Sequence, residues 1–104
     1  MYFVYILRCK DDTLYTGITT DIGRRFREHS GDIPNGAKYT RSHVPERFEA
    51  VWSCDGRSSA SKLEYAVKKL RREQKLRLIA DEDAFTEIFG EDKASLYKRV
   101  NIDI

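Results

Sequence analysis

The chain has 104 residues, of which 40% are hydrophobic and 35% charged, and its formal net charge is +2. This balance predicts one globular domain with a single core and excludes a disordered chain. The longest apolar run, residues 2–7, is far shorter than the roughly 20 residues that cross a bilayer. Cys9 and Cys54 lie far apart without metal-ligand spacing, so neither a zinc site nor a disulfide framework is predicted. No secretion signal opens the sequence, and we expect a cytoplasmic protein with no membrane contact.

The charges are unevenly distributed along the chain. Residues 1–80 carry 16 Lys/Arg and 10 Asp/Glu, whereas residues 81–104 carry 3 and 7. A basic body with an acidic end is a weak indication of a polyanionic partner, although solvated helix faces produce the same distribution. We therefore divide the chain into a main domain, residues 1–80, and an acidic, partly helical extension, residues 81–104. The extension packs on that domain or trails from it.

The first thirty residues predict a hairpin followed by a helix. Residues 2–7 are aromatic and β-branched without polar alternation, which is typical of a strand covered on both faces. Turn residues follow, and residues 14–19 predict the second, antiparallel strand. Asp21 can then act as the N-cap of a short helix that ends near Ser30.

The remainder predicts one more strand and several helices. Residues 31–46 are rich in glycine, proline and polar residues and predict a loop, after which residues 48–53 predict a third strand. Ser58 or Ser59 can cap the longest helix, since apolar residues then follow at helical spacing. The other predicted helices cover residues 74–80 and one or two short segments within 83–99. The order β-β-α-β-α-α predicts an α+β fold in which helices flank a three-stranded antiparallel sheet.

The first helix places polar side chains where a core-facing stripe is expected. Ile22, Arg25, Phe26 and His29 follow the i, i+3, i+4, i+7 pattern, while Arg24, Arg27 and Glu28 are expected on the opposite side. Burial of a guanidinium without an anionic partner costs roughly several kcal/mol of stability, so this stripe must face a polar group. Arg25 could instead reach a carboxylate or the solvent, and His29 could bind a carbonyl.

The predicted hairpin carries a second unusual position. Phe3, Tyr5 and Leu7 share a face of the first strand, and Tyr15, Gly17 and Thr19 share a face of the second. Glycine weakens a strand and is found where another group approaches the backbone closely. A small recess beside a phenol is one interpretation, and a bulge among ordinary core tyrosines is the other.

These residues together resemble the motifs of the GIY-YIG nuclease superfamily. Phe3-Val4-Tyr5 matches the first motif and Tyr15-Thr16-Gly17 the second, with Tyr5 ten residues before Tyr15. Arg25 falls eight residues after Gly17, His29 four residues later, and Glu64 lies on the long helix, as in that family. Each motif is weak alone, but their order and spacing make a specific signal.

The chain resembles one branch of the superfamily closely. The stretches 15–21, 24–29 and 36–40 are similar to the small stand-alone bacterial proteins of the UPF0213 group, which are related to the nuclease domain of the structure-specific endonuclease Slx1. The resemblance covers residues 2–77. Two departures are visible. Phe3-Val4 replaces the Gly-Ile of the first motif, and the asparagine that many restriction and homing members carry has no clear counterpart, since the late Asn101 lies near the terminus.

The resemblance implies phosphodiester hydrolysis with five residues in defined roles. Tyr5 would act as general base or orient the attacking water, and Tyr15 would hydrogen-bond the scissile phosphate or that water. Arg25 would grip a non-bridging phosphate oxygen, since a guanidinium fork suits bidentate contact. His29 would assist proton transfer. Glu64 would bind one hard cation, Mg²⁺ or Mn²⁺, which takes few protein ligands.

Two further assignments depend on position. Glu64 lies four residues before Lys68, the favourable order for an ordinary surface ion pair, so position alone favours a salt bridge over a metal site. Basic and aromatic residues around the implied site are candidates for tracking a phosphate backbone or stacking on a base. The candidate nucleic-acid-binding residues are Gly17, Arg24, Arg27, Lys38, Tyr39 and Arg41.

Two functions follow as hypotheses. The first is a metal-dependent endonuclease that cuts DNA, with branched, nicked or flapped DNA as candidate substrates. The alternative is a nucleic-acid-binding module of the same fold that cuts weakly or only beside a protein partner. A pure protein-interaction domain would leave the inward Arg25 unexplained. The sequence does not distinguish DNA from RNA.

Overall fold

The computed structural model describes residues 1–30 and 43–101. In this part of the chain an antiparallel sheet of four strands has the order β2-β1-β3-β4. The strands are β1 (Tyr2–Cys9), β2 (Leu14–Thr19), β3 (Pro45–Cys54) and β4 (Lys98–Val100). The predicted α+β class with an antiparallel sheet and flanking helices is confirmed. The predicted number of three strands was wrong, because β4 adds a fourth strand beside β3.

The centre of the molecule is strand β1, which pairs with β2 on one side and β3 on the other. Residues 4–7 of β1 have no solvent exposure, so the prediction of a strand covered on both faces is confirmed. Alternation along the strand sends Val4 and Ile6 into a larger core and Tyr5 and Leu7 into a smaller one. The sheet therefore separates two hydrophobic layers.

Helices cover both faces of the sheet. The helices are α1 (Ile22–Ser30), α2 (Arg57–Lys68), α3 (Arg72–Ala80), α4 (Ala84–Phe89) and α5 (Glu91–Ala94). Helix α1 packs Ile22 and Phe26 on the smaller core, whereas α2 packs Leu63 and Val67 into the larger core. Within the described residues, none of these helices combines the length and apolar character needed to cross a bilayer.

Of the two predicted helix N-caps, one is present and one is not. Asp21 does cap α1, since its Oδ1 accepts a hydrogen bond from the backbone N–H of Arg24 at 3.1 Å. The predicted Ser58 or Ser59 cap of α2 was wrong. Gly56 occupies the N-cap position with an extended backbone and no side-chain bond, so α2 begins earlier, at Arg57.

The predicted loop of residues 31–46 is also too long at its end, because β3 begins at Pro45. Proline lacks a donor but is tolerated as the first residue of a strand, and sequence patterns therefore assign it to the loop. The rest of that loop, residues 31–42, lies outside the described residues.

The end of the chain packs against the same sheet. Residues 83–99 were expected to form short helices only, but after α4 and α5 the chain pairs as β4 with residues 51–53 of β3. Phe85 and Tyr97 are buried in the larger core, and the Tyr97 hydroxyl donates to the Ser59 carbonyl at 2.6 Å. The strand is only three residues long and begins Lys-Arg, so it carries no hydrophobic alternation that a sequence pattern could detect.

Candidate active site

The candidate site is centred on the phenol of Tyr5. Tyr5 lies on β1 directly opposite Gly17 of the edge strand β2, and its ring extends across that glycine. A Cβ atom at position 17 would lie 2.6 Å from Cζ of Tyr5, far closer than atoms can approach. The close approach predicted at Gly17 is therefore made by the Tyr5 side chain. A direct nucleic-acid contact at Gly17 stays a prediction.

Two residues of α1 hold the Tyr5 hydroxyl. Its oxygen lies 2.8 Å from Nε2 of His29, and it accepts a hydrogen bond from Nε of Arg25 at 3.2 Å. Where the neutral imidazole carries its hydrogen on Nδ1, the hydroxyl donates its one proton to Nε2 of His29, and acceptance from Arg25 then leaves one of its two lone pairs unused by these two bonds. The inward side of α1 is thus polar because it faces a buried phenol.

The local environment keeps both partners neutral at pH 7. Burial raises the pKa of Tyr5 to about 12, against the opposing effect of the Arg25 hydrogen bond and charge. Burial also lowers the pKa of His29 to about 4, and the positive charge of Arg25 lowers it further. The site therefore contains a protonated phenol bonded to an unprotonated imidazole, a pair through which one proton can move.

Tyr15 completes an aromatic wall around this pair. Its ring centroid lies 6.3 Å from that of Tyr5 and 5.3 Å from that of His29, the latter in an edge-on arrangement. Phe48 of β3 contacts the Tyr5 ring from another side, with centroids 5.1 Å apart. This packing fixes the ring orientations, so the polar atoms of the site are held by the core itself.

Glu28 belongs to the site, although the helix pattern placed it on the outer face. Its side chain is only 10% exposed and accepts a hydrogen bond from Nη1 of Arg25 at 3.1 Å. The correction has a simple reason: a residue three positions after Arg25 lies beside it on the helix surface. The Arg25–Glu28 spacing in the sequence was the signal that could have identified this pair. Arg24 and Arg27 are exposed, as predicted.

Glu64 lies on α2, on the other side of the sheet from α1, yet it acts on the same phenol. The Tyr5 oxygen reaches the edge strand β2, against which α2 also packs. The charge of Glu64 is near enough to contribute to the raised pKa of Tyr5. Its side chain is 25% exposed, and its Oε2 lies 3.4 Å from Nζ of Lys68. The salt bridge that sequence position favoured is therefore present beside the site.

The donors near Glu64 are compatible with Mg²⁺ or Mn²⁺. Among the residues that the structure describes, no three His, Cys, Asp or Glu side chains are grouped so that they could hold a metal ion. A single partly exposed carboxylate nevertheless suits Mg²⁺, which keeps several waters and is held by one or two carboxylates together with substrate phosphates. A cation bound there would share the carboxylate with Lys68, whose Nζ pairs with Oε2 of Glu64.

The predicted nucleic-acid contacts divide into two groups. Arg24 and Arg27 lie on the exposed side of α1. Lys38, Tyr39 and Arg41 lie outside the described residues, so their place relative to the site stays a prediction.

Comparison with known proteins identifies the class of protein to which the chain belongs. The family model described as the GIY-YIG catalytic domain matches residues 1–77, which include all five residues assigned to catalysis. The chain therefore belongs to the GIY-YIG family. This is a family of nuclease domains, so membership indicates nuclease activity on a nucleic acid.

The curated relatives belong to the UPF0213 group. A UPF0213 protein of Desulfotalea psychrophila is 48% identical over 89 residues, covering 85% of this chain and 80% of that protein. A second, from Fusobacterium nucleatum, is 42% identical over 84 residues, covering 81% and 82%. The solution NMR structure of a UPF0213 protein from Bacillus halodurans is 38% identical, with a TM-score of 0.49, and the match covers 88% of this chain and 100% of that one.

Proposed function

We propose that this protein is a metal-dependent endonuclease that hydrolyses phosphodiester bonds in DNA, with branched, nicked or flapped DNA as candidate substrates. The observation that carries the proposal is the buried hydrogen-bonded group in which Tyr5 joins Arg25 and His29. A core position normally holds an apolar side chain, and three polar groups there cost stability. Catalysis explains why these groups are present.

In the proposed reaction Tyr5 and His29 move a proton together. Tyr5 is fully buried among the described residues, so the reaction requires that substrate binding opens its oxygen to a water molecule. That water bonds to the remaining lone pair of the Tyr5 oxygen and gives it a proton while the phenolic proton passes to Nε2 of His29. The water oxygen forms a bond to phosphorus, and the phosphorus bond to the leaving oxygen breaks, with a proton from solvent neutralising that oxygen. Arg25 neutralises a non-bridging phosphate oxygen throughout.

Glu64 would hold the divalent cation, which when bound supplies charge neutralisation at the phosphate and Lewis-acid activation. The negative phosphate also favours the protonated form of His29, because it offsets part of the Arg25 charge that lowers the imidazole pKa. The site residues thus fit the chemistry that a phosphodiester requires.

One observation favours a second candidate, a nucleic-acid-binding module that cuts only beside a partner. A phenol with a pKa of about 12 is a poor base by itself, and Glu64 is already paired with Lys68. A partner or the substrate would then have to complete the site.

Replacement of Glu64 by Gln separates the two candidates. The variant keeps side-chain volume but loses the charge that would hold the cation. We expect normal folding, DNA binding within about twofold of wild type, and cleavage at least about 100-fold slower, because each 1.36 kcal/mol of lost transition-state stabilisation is about tenfold. Cleavage is measured on labelled single-stranded, duplex and branched DNA with Mg²⁺, Mn²⁺ or chelator.

The matched control is Lys68→Gln, which breaks the same ion pair from its other end. An exposed pair contributes under about 1 kcal/mol, so this variant should retain cleavage. Equal cleavage by wild type and Glu64→Gln under the same metal would contradict the proposed role of Glu64. Binding without cleavage by wild type on every substrate would favour the binding module.

A further inference from the structure

A cavity of about 330 Å³ opens beside Arg25, next to the candidate active site. Its lining includes Arg24, Arg25, Arg57, Glu28, Thr19 and Thr20. Because Arg25 also bonds to the Tyr5 hydroxyl, the cavity and the site share a side chain. We propose that this cavity is a second phosphate subsite, which holds a backbone phosphate near the scissile one. The inference rests on the proposed action on nucleic acid.

The charges of the lining favour an anion. Three arginines face one glutamate, and that glutamate is already engaged, with Oε1 at 3.1 Å from Nη1 of Arg25 and Oε2 at 3.7 Å from Nε of Arg24. Arg57 is exposed and forms no ion pair or side-chain hydrogen bond with any residue that the structure describes. Its guanidinium is therefore available to an external anion, and a phosphate suits its planar fork.

The helix positions place the subsite at a useful distance from the candidate metal ligand. Arg57 and Glu64 are seven residues apart on α2, nearly two full turns, so they share one side of the helix. Seven residues span about 10 Å of helix axis. Phosphates of one strand recur about every 3.4 Å along a duplex axis, so the subsite can reach a phosphate one to three nucleotides from the cut.

The size and lining of the cavity distinguish a phosphate from a base. A volume of about 330 Å³ is at the lower end of the range for small-molecule pockets, about 300–1,000 Å³. Most of the named lining is charged or hydroxylated, while a base would require apolar or aromatic faces on which to stack. Among the described residues of the lining, Tyr2 and Ile18 alone contribute apolar surface. The chemistry therefore indicates a phosphate with its attached sugar.

Arg57→Gln tests the subsite, with Lys62→Gln as the matched control. Lys62 is exposed on the same helix, five residues on, and this spacing turns it about 140° away from Arg57. Both changes remove one positive charge from α2. For Arg57→Gln we expect KM about three- to tenfold higher and kcat within about twofold of wild type, since the arginine contacts the substrate away from the reacting atoms. Lys62→Gln should change neither.

A scan of the substrate locates the phosphate. The DNA has hydroxyl ends, one cutting site, and a single neutral methylphosphonate linkage at each position one to three nucleotides from the cut. At one position the neutral linkage should raise KM about three- to tenfold for wild type and Lys62→Gln, and have no further effect for Arg57→Gln. Equal sensitivity of all three proteins at every position would overturn the subsite.

A binding measurement separates failure of the subsite from failure of the proposed function. In the Glu64→Gln background, Arg57→Gln should reduce the salt dependence of DNA affinity by about 0.9 in log Kd per log salt, whereas Lys62→Gln should leave it unchanged. If the wild-type protein cuts no DNA, the nuclease proposal is contradicted, but the salt dependence of DNA binding still tests the subsite. If cleavage is normal and both variants have the same salt dependence as the parent, the subsite alone is wrong.

Discussion

The buried imidazole of His29 connects the chemistry of the site with the stability of the fold. Its ring is 3% exposed, and the folded protein holds it neutral down to a pKa of about 4, for which burial is the main cause. An unfolded chain protonates histidine at a pKa of about 6.5. Between these values the unfolded state binds the additional proton, so stability must fall as pH is lowered.

We therefore predict a pH dependence that belongs to His29. Between pH 7 and pH 5 wild type should lose about 2 kcal/mol of unfolding free energy that His29→Gln does not lose. Glutamine still offers an acceptor to the Tyr5 hydroxyl, so the variant should fold. His43→Gln is the control: it removes the other histidine, which pairs with Asp11, but leaves His29 in place, so the part of the loss that His29→Gln abolishes should remain. Equal losses in wild type and His29→Gln, measured by denaturant unfolding, would show that His29 is not the responsible group.

The contact between Gly17 and Tyr5 gives a second prediction for single residues. Gly17→Ala should destabilise the protein by about 1–3 kcal/mol, because the added methyl overlaps the phenol and forces the ring away from His29. In a Tyr5→Leu background the same change should cost much less, since the overlapping atoms are gone. Gly23→Ala is the control: its methyl meets nothing closer than 3.8 Å, so helix propensity should stabilise α1 by about 0.5–1 kcal/mol.

Sequence reasoning succeeded at positions where a residue type contradicts its expected environment. Arginine and histidine on an apolar stripe cost stability unless polar partners face them, and glycine inside a strand costs stability unless another group packs on its backbone. These residues therefore indicated where polar contacts and a close approach occur. The same reasoning missed Glu28, because a glutamate on a helix surface is in its expected environment. The partner of Arg25 was visible in the spacing but indistinguishable from an ordinary solvated ion pair.

At the scale of elements, predictability followed the strength of the local pattern. Strand β2 was predicted with its observed bounds, and α1 to within a residue, because alternation and the Asp21 cap act within a few residues. Helix α2 was expected to start at a serine cap, yet it begins without one. Ala60 and Leu63, whose helical spacing the sequence does show, pack into the larger core, but this spacing does not fix the residue at which the helix begins.

Strand β4 illustrates the limit of local patterns most clearly. It contains Lys98, Arg99 and Val100, a composition that favours no strand, and it exists because β3 offers a free edge. Arg99 then donates hydrogen bonds to the carbonyls of Leu78 at 3.0 Å and Ile79 at 3.1 Å in α3. The strand is therefore fixed by partners far away in the sequence.

At the scale of the molecule, the sheet lies between two hydrophobic cores that position different parts of the candidate site. The smaller core on one face positions Tyr5, while the larger core on the other face positions the helix that carries Glu64. The two meet at the β2 edge, where the phenol crosses Gly17. A fold with this arrangement can bring groups from both of its layers to one edge, and that explains how Arg25 of α1 and Glu64 of α2 both influence the pKa of Tyr5.

The larger core also includes the end of the described chain, although the family match stops at residue 77. We propose that residues 81–101 are an integral part of the single domain. Phe85 is 6% and Tyr97 9% exposed, and Arg99 stacks over Trp52 with 5.5 Å between its guanidinium carbon and the ring centroid. Loss of one buried aromatic side chain costs about 3–5 kcal/mol, and a whole domain has only about 5–15 kcal/mol of stability.

A chain of residues 1–80 should accordingly fail to fold cooperatively. It loses β4 and the buried aromatic groups while exposing Trp52 and the neighbouring core, so we expect no thermal transition in circular dichroism and little dispersion in amide NMR spectra. The full-length control carries Asp83→Asn, Glu91→Gln and Asp92→Asn, which neutralise exposed acids without removing apolar contacts. Its Tm should stay within about 4 °C of wild type, since surface changes are usually within about 0.5 kcal/mol. A 1–80 chain with a wild-type transition would show instead that the acidic segment is a dispensable addition to a self-sufficient nuclease domain.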